Sequence, residues 1–229
     1  VSFDMNFLKN ILLKRNSLDL LHSNTYIVEL IKKNKPFLIS RIGSAEVAVT
    51  YRYKKKKKIN DDHLSTLSNN AGIYVKDNNY ATIETFCKLY NSTIENSNAL
   101  AYINGIMEKE QKCLMNRKNK IIHSRSLEPF YYCIENIKPW SHFLIDKKIL
   151  IINPFIQSMK KQIENGFQIF KNPEKSIFLQ KQKFIFYKPF QTSAGNYTHN
   201  NWHETYDVMC NDIKKLDFDI ALLGCGGYG

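Results

Sequence analysis

Short apolar runs typical of β-strands alternate with helical segments from residue 37 to the end of the chain. Each run is followed by glycine or a polar residue, and the segments between the runs carry apolar residues at helical spacing. The strand-like runs are 37–42, 99–103, 120–123, 147–152, 184–187 and 220–223. This alternation predicts an α/β fold with a mainly parallel sheet that is covered by helices on both faces.

An N-terminal helical segment, residues 1–35, is expected to pack on a domain of residues 36–229. Apolar residues follow helical spacing in 3–12 and in 27–31, and Pro36 ends the pattern. Further helices are predicted after Ser44, which can serve as an N-cap, over 79–95, after Phe155 and over 202–216. Because the chain stops directly behind a strand and a glycine loop, we expect the domain to continue beyond Gly229, so that this chain is C-terminally truncated.

The chain is strongly basic, with 33 Lys and Arg against 21 Asp and Glu and a net charge of +12. Such a charge favours anionic partners, which include phosphorylated ligands, nucleic acid and an anionic membrane surface. The five consecutive lysines Lys54–Lys58 either contact acidic lipid or nucleic acid, or form a solvated loop.

Several classes of protein are disfavoured by the sequence. No apolar run approaches the roughly 18 residues that a membrane-spanning helix needs. The P-loop, the Gly-x-Ser-x-Gly elbow and the His-Glu-x-x-His motif do not occur. The five cysteines are scattered and lack zinc spacing, which predicts free thiols in a reducing, cytoplasmic compartment.

Polar residues and glycines follow the predicted strands, and the carboxyl ends of parallel strands gather along one edge of a sheet. The candidate site residues at these ends are Arg41, Gly43, Ser44, Glu46, His123, Arg125, Glu128, Asn153, Gly224, Gly226, Tyr228 and Gly229. The arginines can bind phosphate oxygens in a bidentate manner, and the glycine loop can offer backbone donors to a phosphate. Together these groups predict a site for a nucleoside diphosphate.

Three of these residues also have a structural interpretation. Arg41 either binds phosphate or pairs with Glu46, which itself can hold a metal ion or a sugar hydroxyl. Glu128, which precedes Pro129, either caps a helix or acts as a catalytic base. His123 is either a base or a hydrogen-bonded structural residue.

Four segments, 39–46, 127–130 with 139–141, 148–155 and 217–229, resemble the glycosyltransferases of the GT-D fold, once described as a domain of unknown function in bacterial glycan and adhesin-glycosylation clusters. The resemblance covers most of the chain and implies a Rossmann-like domain that uses a nucleotide-sugar donor, here expected to be UDP-linked. It also implies that Gly224, Gly226, Tyr228 and Gly229 lie at the nucleotide.

Relatives in this family bind a metal ion and the diphosphate through an Asp-x-Glu motif. The matching positions are Ser44 and Glu46, so the glutamate is kept and a serine replaces the aspartate. Because serine binds a hard cation less well than a carboxylate does, a dependence on Mn²⁺ or Mg²⁺ is left open, and Arg41 or lysines are the alternative counter-charge. Asn153 stands where many relatives have a histidine.

The sequence therefore predicts a glycosyltransferase in which Glu46 or Glu128 is the catalytic base. The expected acceptor is a bacterial glycan, a lipid-linked glycan or a glycoprotein, and the basic surface allows peripheral contact with the inner face of an anionic membrane. Specific nucleic-acid recognition is not expected. The alternatives are a dinucleotide-dependent oxidoreductase of Rossmann type, suggested by the Gly-x-Gly-x-x-Gly spacing of the last six residues, and a basic nucleic-acid-binding module.

Overall fold

A computed structural model describes residues 18–76, 80–103, 105–166, 169–172, 175–179 and 181–229. The helices are α1 (Leu20–Lys33), α2 (Ser44–Lys54), α3 (Asp61–Thr66), α4 (Tyr80–Asn96), α5 (Glu108–Leu114), α6 (Pro129–Ile134), α7 (Ile156–Glu164) and α8 (Trp202–Ile213). The strands are β1 (Ile39–Arg41), β2 (Ala99–Ala101), β3 (Lys120–Ile122), β4 (Lys148–Ile152), β5 (Lys183–Tyr187) and β6 (Ile220–Leu223). A π-helical turn (Leu67–Ala71) follows α3, and short 3₁₀ helices lie at Trp140–Leu144, Ser193–Gly195 and Gly226–Tyr228.

All strand pairing in the described sheets is parallel, which confirms the α/β class. The strands form two three-stranded sheets, with the orders β1-β2-β3 and β5-β4-β6. The sequence predicted a single, mainly parallel sheet, and the structure has two parallel sheets instead. Apolar runs indicate that a strand is buried, but they do not specify which neighbour it pairs with, and each strand of the first sheet pairs over only three residues.

The central strand of the first sheet is buried on both faces. Leu100 points into a core with Val47 of α2, Ile94 of α4 and Leu114 of α5. Ala99 and Ala101 alternate with Leu100 and therefore face the other side. They lie in a second core, which also contains Trp140 and Leu144. Helical elements thus cover both faces of this sheet, as predicted.

The second core also joins the two sheets and holds α1 in place. It contains Ile122 from the first sheet, Ile149 and Ile151 from the second, and Ile27 and Ile31 from α1. The second of the two expected N-terminal helices is therefore present and packed on the strands. The first, expected within residues 3–12, lies outside the described residues, and the division into two segments stays a prediction.

A third core lies beneath the end of the chain. Trp202 of α8 stacks on Tyr228, with ring centroids 5.8 Å apart, and meets the edge of Phe86 from α4. Leu67 and Ala71 of the π-helical turn belong to the same core. This packing draws the last residues of the chain towards the turn that follows α3.

Sequence patterns missed several short elements and misplaced one boundary. Helices α3, α5 and α6 have six or seven residues each, too few for a periodic apolar pattern to be recognised. The lysine run begins inside α2, which extends to Lys54, and whether the lysines after it are only solvated or contact an anionic partner stays open. The five cysteines are free thiols, as expected. Within the described ranges, none of the helices has the length and apolarity required to cross a bilayer.

Asn24 connects α1 to the loop that enters the second sheet. Its Nδ2 donates to the Lys138 carbonyl at 2.9 Å, and its Oδ1 accepts from the Trp140 backbone N–H at 2.8 Å. The side chain is only 6% exposed. A buried amide that satisfies two backbone groups at once fixes the position of α1 against this loop.

We expect Asn24→Ala to lower the free energy of unfolding by about 1–3 kcal/mol, because it leaves the buried Trp140 N–H and the partly buried Lys138 carbonyl without their partner. Urea denaturation followed by circular dichroism measures the change. The control is Thr25→Ala, at the next residue of the same helix, where the exposed hydroxyl donates to the Leu21 carbonyl within that helix. Equal losses in the two variants would contradict the role given to Asn24.

Candidate functional site

An open cleft of about 490 Å³ lies at the carboxyl ends of β1, β2 and β3. Its lining residues are Arg41, Ile42, Gly43, Ser44, Ala45, Glu46, Asn70, Ala71, Ile103, Ser124, Arg125, Glu128 and Tyr131. Since β2 lies between β1 and β3, the cleft has one wall from β1 and α2 and an opposite wall from the segment after β3. Six of the predicted site residues therefore share one cavity, namely Arg41, Gly43, Ser44, Glu46, Arg125 and Glu128.

The wall on the β1 side is the first turn of α2. Arg41 ends β1, Gly43 is the N-cap, and Ser44 is the first helical residue. The prediction that Ser44 caps this helix is wrong, because the residue before it holds the extended cap conformation. Glu46 lies in the first turn, where the free backbone N–H groups of a helix favour negative charge.

Gly43 is required here because the Glu46 carboxyl group lies directly over it. A Cβ on residue 43 would come within 2.5 Å of the carboxyl carbon of Glu46. The Gly43 N–H donates to the Tyr90 hydroxyl at 3.2 Å, which ties the cap to α4. The glycine therefore lets the carboxyl group fold back over the helix N-terminus.

Burial raises the pKa of Glu46 above its ordinary value of 4.5. A hydrogen bond with its own backbone N–H and the positive charge of Arg41 act in the opposite direction, but they do not outweigh the loss of hydration. The carboxylate of Glu46 is consequently a stronger base than that of an ordinary glutamate.

The opposite wall is the segment between β3 and α6, which the fold holds firmly. The Ser126 carbonyl accepts from the Tyr132 hydroxyl at 3.0 Å and from Trp140 Nε1 at 2.9 Å. The Ser126 hydroxyl donates to the His123 carbonyl at 2.6 Å. These bonds hold the loop that carries Arg125 and Glu128. The Arg125 backbone N–H donates to Nδ1 of His123. This contact supports the interpretation of His123 as a hydrogen-bonded structural residue.

The Arg125 guanidinium lies over the ring of Tyr131, 4.4 Å from the ring centroid. This cation–π contact restrains the side chain while its N–H groups stay available as donors. Among the described residues, no carboxylate lies within ion-pair distance of Arg125. Within the described ranges, the cleft therefore contains a cation whose charge is not paired with a carboxylate.

The second cation, Arg41, bridges the two walls. Its Nη1 lies 3.3 Å from Oε1 of Glu128, and the two side chains are 60% and 44% exposed. An exposed pair of this kind contributes little to stability and is readily exchanged for a ligand. Arg41 thus pairs with Glu128 rather than with Glu46. Glu128 occupies the N-cap position of α6, but its side chain does not cap the helix.

The glycine loop and Asn153 lie outside the residues that line the cleft. A Cβ on Gly224 would lie 2.7 Å from Nδ2 of Asn153, and one on Gly227 would lie 2.7 Å from the Ala71 carbonyl oxygen. The Tyr228 hydroxyl is buried and lies 2.6 Å from that of Thr192. Gly227 is thus needed for close packing against the backbone, and a nucleotide contact at Gly224, Gly226, Tyr228 and Gly229 stays a prediction.

Sequence patterns did not identify Asn70, Ala71, Ile103 or Tyr131 as lining residues. Asn70 and Ala71 belong to the π-helical turn, which has no sequence signature, and Ala71 also contacts the glycine loop. Tyr131 follows Phe130 in a short helix and resembles an ordinary rim aromatic in the sequence. Only its contact with Arg125 marks it as part of the site.

The residues in the cleft are a poor set of ligands for a divalent metal. In the described part of the chain, no group of three histidine, cysteine or acidic side chains is arranged to hold a metal ion. Of the two carboxyl groups in the cleft, that of Glu128 is paired with Arg41 and that of Glu46 has a raised pKa. The dependence on Mn²⁺ or Mg²⁺ stays a prediction, and no step proposed below relies on a metal.

The fold and the cleft together define an α/β protein with a charged site at the carboxyl edge of a parallel sheet, where such folds bind ligands. Comparison of the chain with protein-family models, with curated proteins and with solved structures finds no match. The geometry of the cleft therefore carries the functional argument.

We expect Gly43→Ala to return the pKa of Glu46 towards 4.5, because the added methyl group displaces the carboxyl group from its buried position. Carbon-detected NMR titration of the glutamate carboxyl groups measures this pKa. The control is Ser44→Ala, in the same helical turn, which adds no atom near Glu46. An unchanged pKa in Gly43→Ala would contradict the position given to this carboxyl group.

We expect Glu46→Gln to be increasingly stabilised relative to the unmodified chain as the pH rises. With a raised pKa the folded chain binds the Glu46 proton more tightly than the unfolded chain does. The protonated Glu46 therefore contributes stability to the folded state below pH 4.5, and this contribution is lost as the pH rises through the folded pKa. Glutamine cannot titrate. Urea midpoints between pH 4 and pH 8 measure the difference, and a difference that does not change with pH would contradict the shift.

Proposed function

We propose that this chain is a glycosyltransferase that moves a sugar from a nucleotide-sugar donor to an acceptor hydroxyl. The observation that carries the proposal is the cleft, in which two arginines and two glutamates meet beside the N-terminus of α2. The resemblance to the GT-D family supports the same reaction. Transfer of a sugar needs a cationic group for the departing diphosphate and a base for the acceptor, and the cleft offers both.

The donor's diphosphate is assigned to the wall formed by Arg41 and the first turn of α2. The positive end of the α2 helix dipole and the planar guanidinium of Arg41 are suited to phosphate oxygens. A diphosphate carries more charge than a carboxylate, so it can replace Glu128 as the partner of Arg41. Release of Glu128 would then open the passage between the two walls.

The catalytic base is assigned to Glu46. It takes the proton of the acceptor hydroxyl while the acceptor oxygen bonds to the anomeric carbon and the bond to the diphosphate breaks. The raised pKa of Glu46 brings its basicity closer to neutral pH, which is what a general base needs. Glu128 is assigned to positioning Arg41 before the donor binds.

The oxidoreductase alternative depends on the glycine loop. Because the close neighbours of Gly224 and Gly227 are Asn153, Ala71 and Ile73, the loop offers less support for a dinucleotide than the cleft offers for a diphosphate. The nucleic-acid alternative depends on the exposed lysines after α2 and has no further contact in its favour among the described residues.

Calorimetric titration with UDP, GDP, CMP, NAD and a short oligonucleotide, with and without Mn²⁺, tests the donor site. We expect a nucleoside diphosphate to bind and Arg41→Ala to weaken its binding about tenfold or more, because a charge-assisted contact is lost. The matched control is Arg52→Ala, an arginine at the last turn of the same helix. Preferential binding of NAD or of the oligonucleotide would overturn the proposal.

We expect Glu46→Gln to retain binding of the nucleoside diphosphate and to lose about 10²–10⁴-fold in transfer rate, the range that general-base catalysis supplies. Glu128→Gln should leave the transfer rate of the bound donor largely unchanged, since Glu128 contacts Arg41 only before the donor binds. Release of nucleoside diphosphate from a matched donor measures the rate. A Glu46→Gln variant with full activity would show that the base has been misassigned.

A further inference from the structure

A group of apolar side chains adjoins the cleft on the α6 side. We name Phe130, Tyr131, Ile134 and Phe170 the aromatic ledge. Phe130 stacks on Phe170, with ring centroids 5.3 Å apart, and meets Tyr131 edge to face at 5.6 Å. Ile134 follows Phe130 by four residues and therefore lies on the same side of α6.

Two of the four residues of the aromatic ledge are exposed to solvent although they are large and apolar, and Tyr131 and Phe170 are half-buried. Phe130 is 38% exposed and Ile134 is 45% exposed, and the neighbouring Ile169 is exposed as well. None of the ledge residues belongs to the three cores that the described residues form. Contiguous exposed apolar surface is uncommon on a folded chain and indicates a binding surface.

Tyr131 joins the ledge to the cleft. It lines the cavity, and its ring carries the Arg125 guanidinium. The only described cation in the cleft without a carboxylate partner thus lies at one end of the ledge, while Ile134 lies one helical turn further away from it. A cation at one end and apolar side chains beyond it match a ligand with an anionic head and an apolar chain.

We propose that Arg125 and the aromatic ledge bind a lipid phosphate, a long apolar chain that ends in a phosphate or diphosphate group. The role of this ligand rests on the proposed function, in which it is the lipid that carries the acceptor. Its phosphate contacts Arg125, and its chain lies along Phe130 and Ile134. The donor then occupies the wall of Arg41 and the lipid-linked acceptor occupies the opposite wall. The two substrates meet above β2, beside Glu46.

A flexible apolar chain fits the ledge better than a sugar ring does. A sugar stacks on a free aromatic face, but one face of Phe130 is covered by Phe170 and one face of Tyr131 is covered by Arg125. The remaining surface includes the aliphatic side chain of Ile134. Apolar contact of this kind is non-directional and suits a chain without fixed shape.

Binding of farnesyl phosphate to the whole chain tests the proposal, with farnesol, inorganic phosphate and maltotriose as comparison ligands. We expect farnesyl phosphate to bind more tightly than farnesol or inorganic phosphate alone. The double variant Phe130→Ser with Ile134→Ser should weaken this binding about tenfold or more, because apolar contact is lost. Arg125→Gln should reduce the preference for farnesyl phosphate over farnesol.

The matched control is Ile145→Ser, which replaces a side chain as exposed as Phe130, at 38%. Ile145 precedes the amino end of β4, beside Lys147, whose Nζ contacts Asn34 at the end of α1. This places it away from the carboxyl ends where the cleft lies. We expect Ile145→Ser to bind farnesyl phosphate unchanged, and circular dichroism confirms that each variant is folded.

The outcomes separate this inference from the proposed function. Binding of farnesyl phosphate that depends on the ledge, without binding of any nucleoside diphosphate, would retain the lipid-phosphate site and reject the transferase. Binding of UDP or GDP with no binding of farnesyl phosphate would reject the lipid phosphate alone. Equal effects of the ledge and Ile145 variants, or competition by maltotriose, would also overturn the inference.

Discussion

The burial of β2 is the constraint on which the rest of the molecule depends. This strand has only three residues, yet all of them are fully buried, with Leu100 in one core and Ala99 and Ala101 in another. A strand without exposed surface can be stable only between two pairing neighbours and under helical elements on both faces. β1 and β3 are thereby held parallel to it, and the polar segments that follow them must face each other across its end.

The cleft depends on interactions that oppose one another. Burial of Glu46 disfavours its charge, whereas the N-terminus of α2 and Arg41 favour it, and the balance leaves a carboxyl group that holds its proton more tightly than usual. On the opposite wall, Ser126 fixes the loop through two buried donors, so that Arg125 can stay exposed without being disordered.

The predicted site residues that the structure brings into one cleft are those for which position along the chain implies position in space. Arg41, Gly43 and Glu46 follow a strand directly and begin a helix, so their gathering at one sheet edge follows from local rules. Arg125 and Glu128 were found for the same reason. The glycine loop drew attention because glycine allows a ligand to come close, but glycine equally allows protein to come close, and here Ala71 and Asn153 do so.

The sequence by itself determined the α/β class, the parallel direction of the strands and the order in which polar groups follow them, because alternation and periodicity are local properties of the chain. Only the tertiary structure decided that the strands divide into two sheets, that Arg41 pairs with Glu128, and that the π-helical turn and Tyr131 line the cleft. These features depend on contacts between residues distant along the chain. Such contacts are selected by how side chains of particular shape fill a shared volume, which no local pattern records.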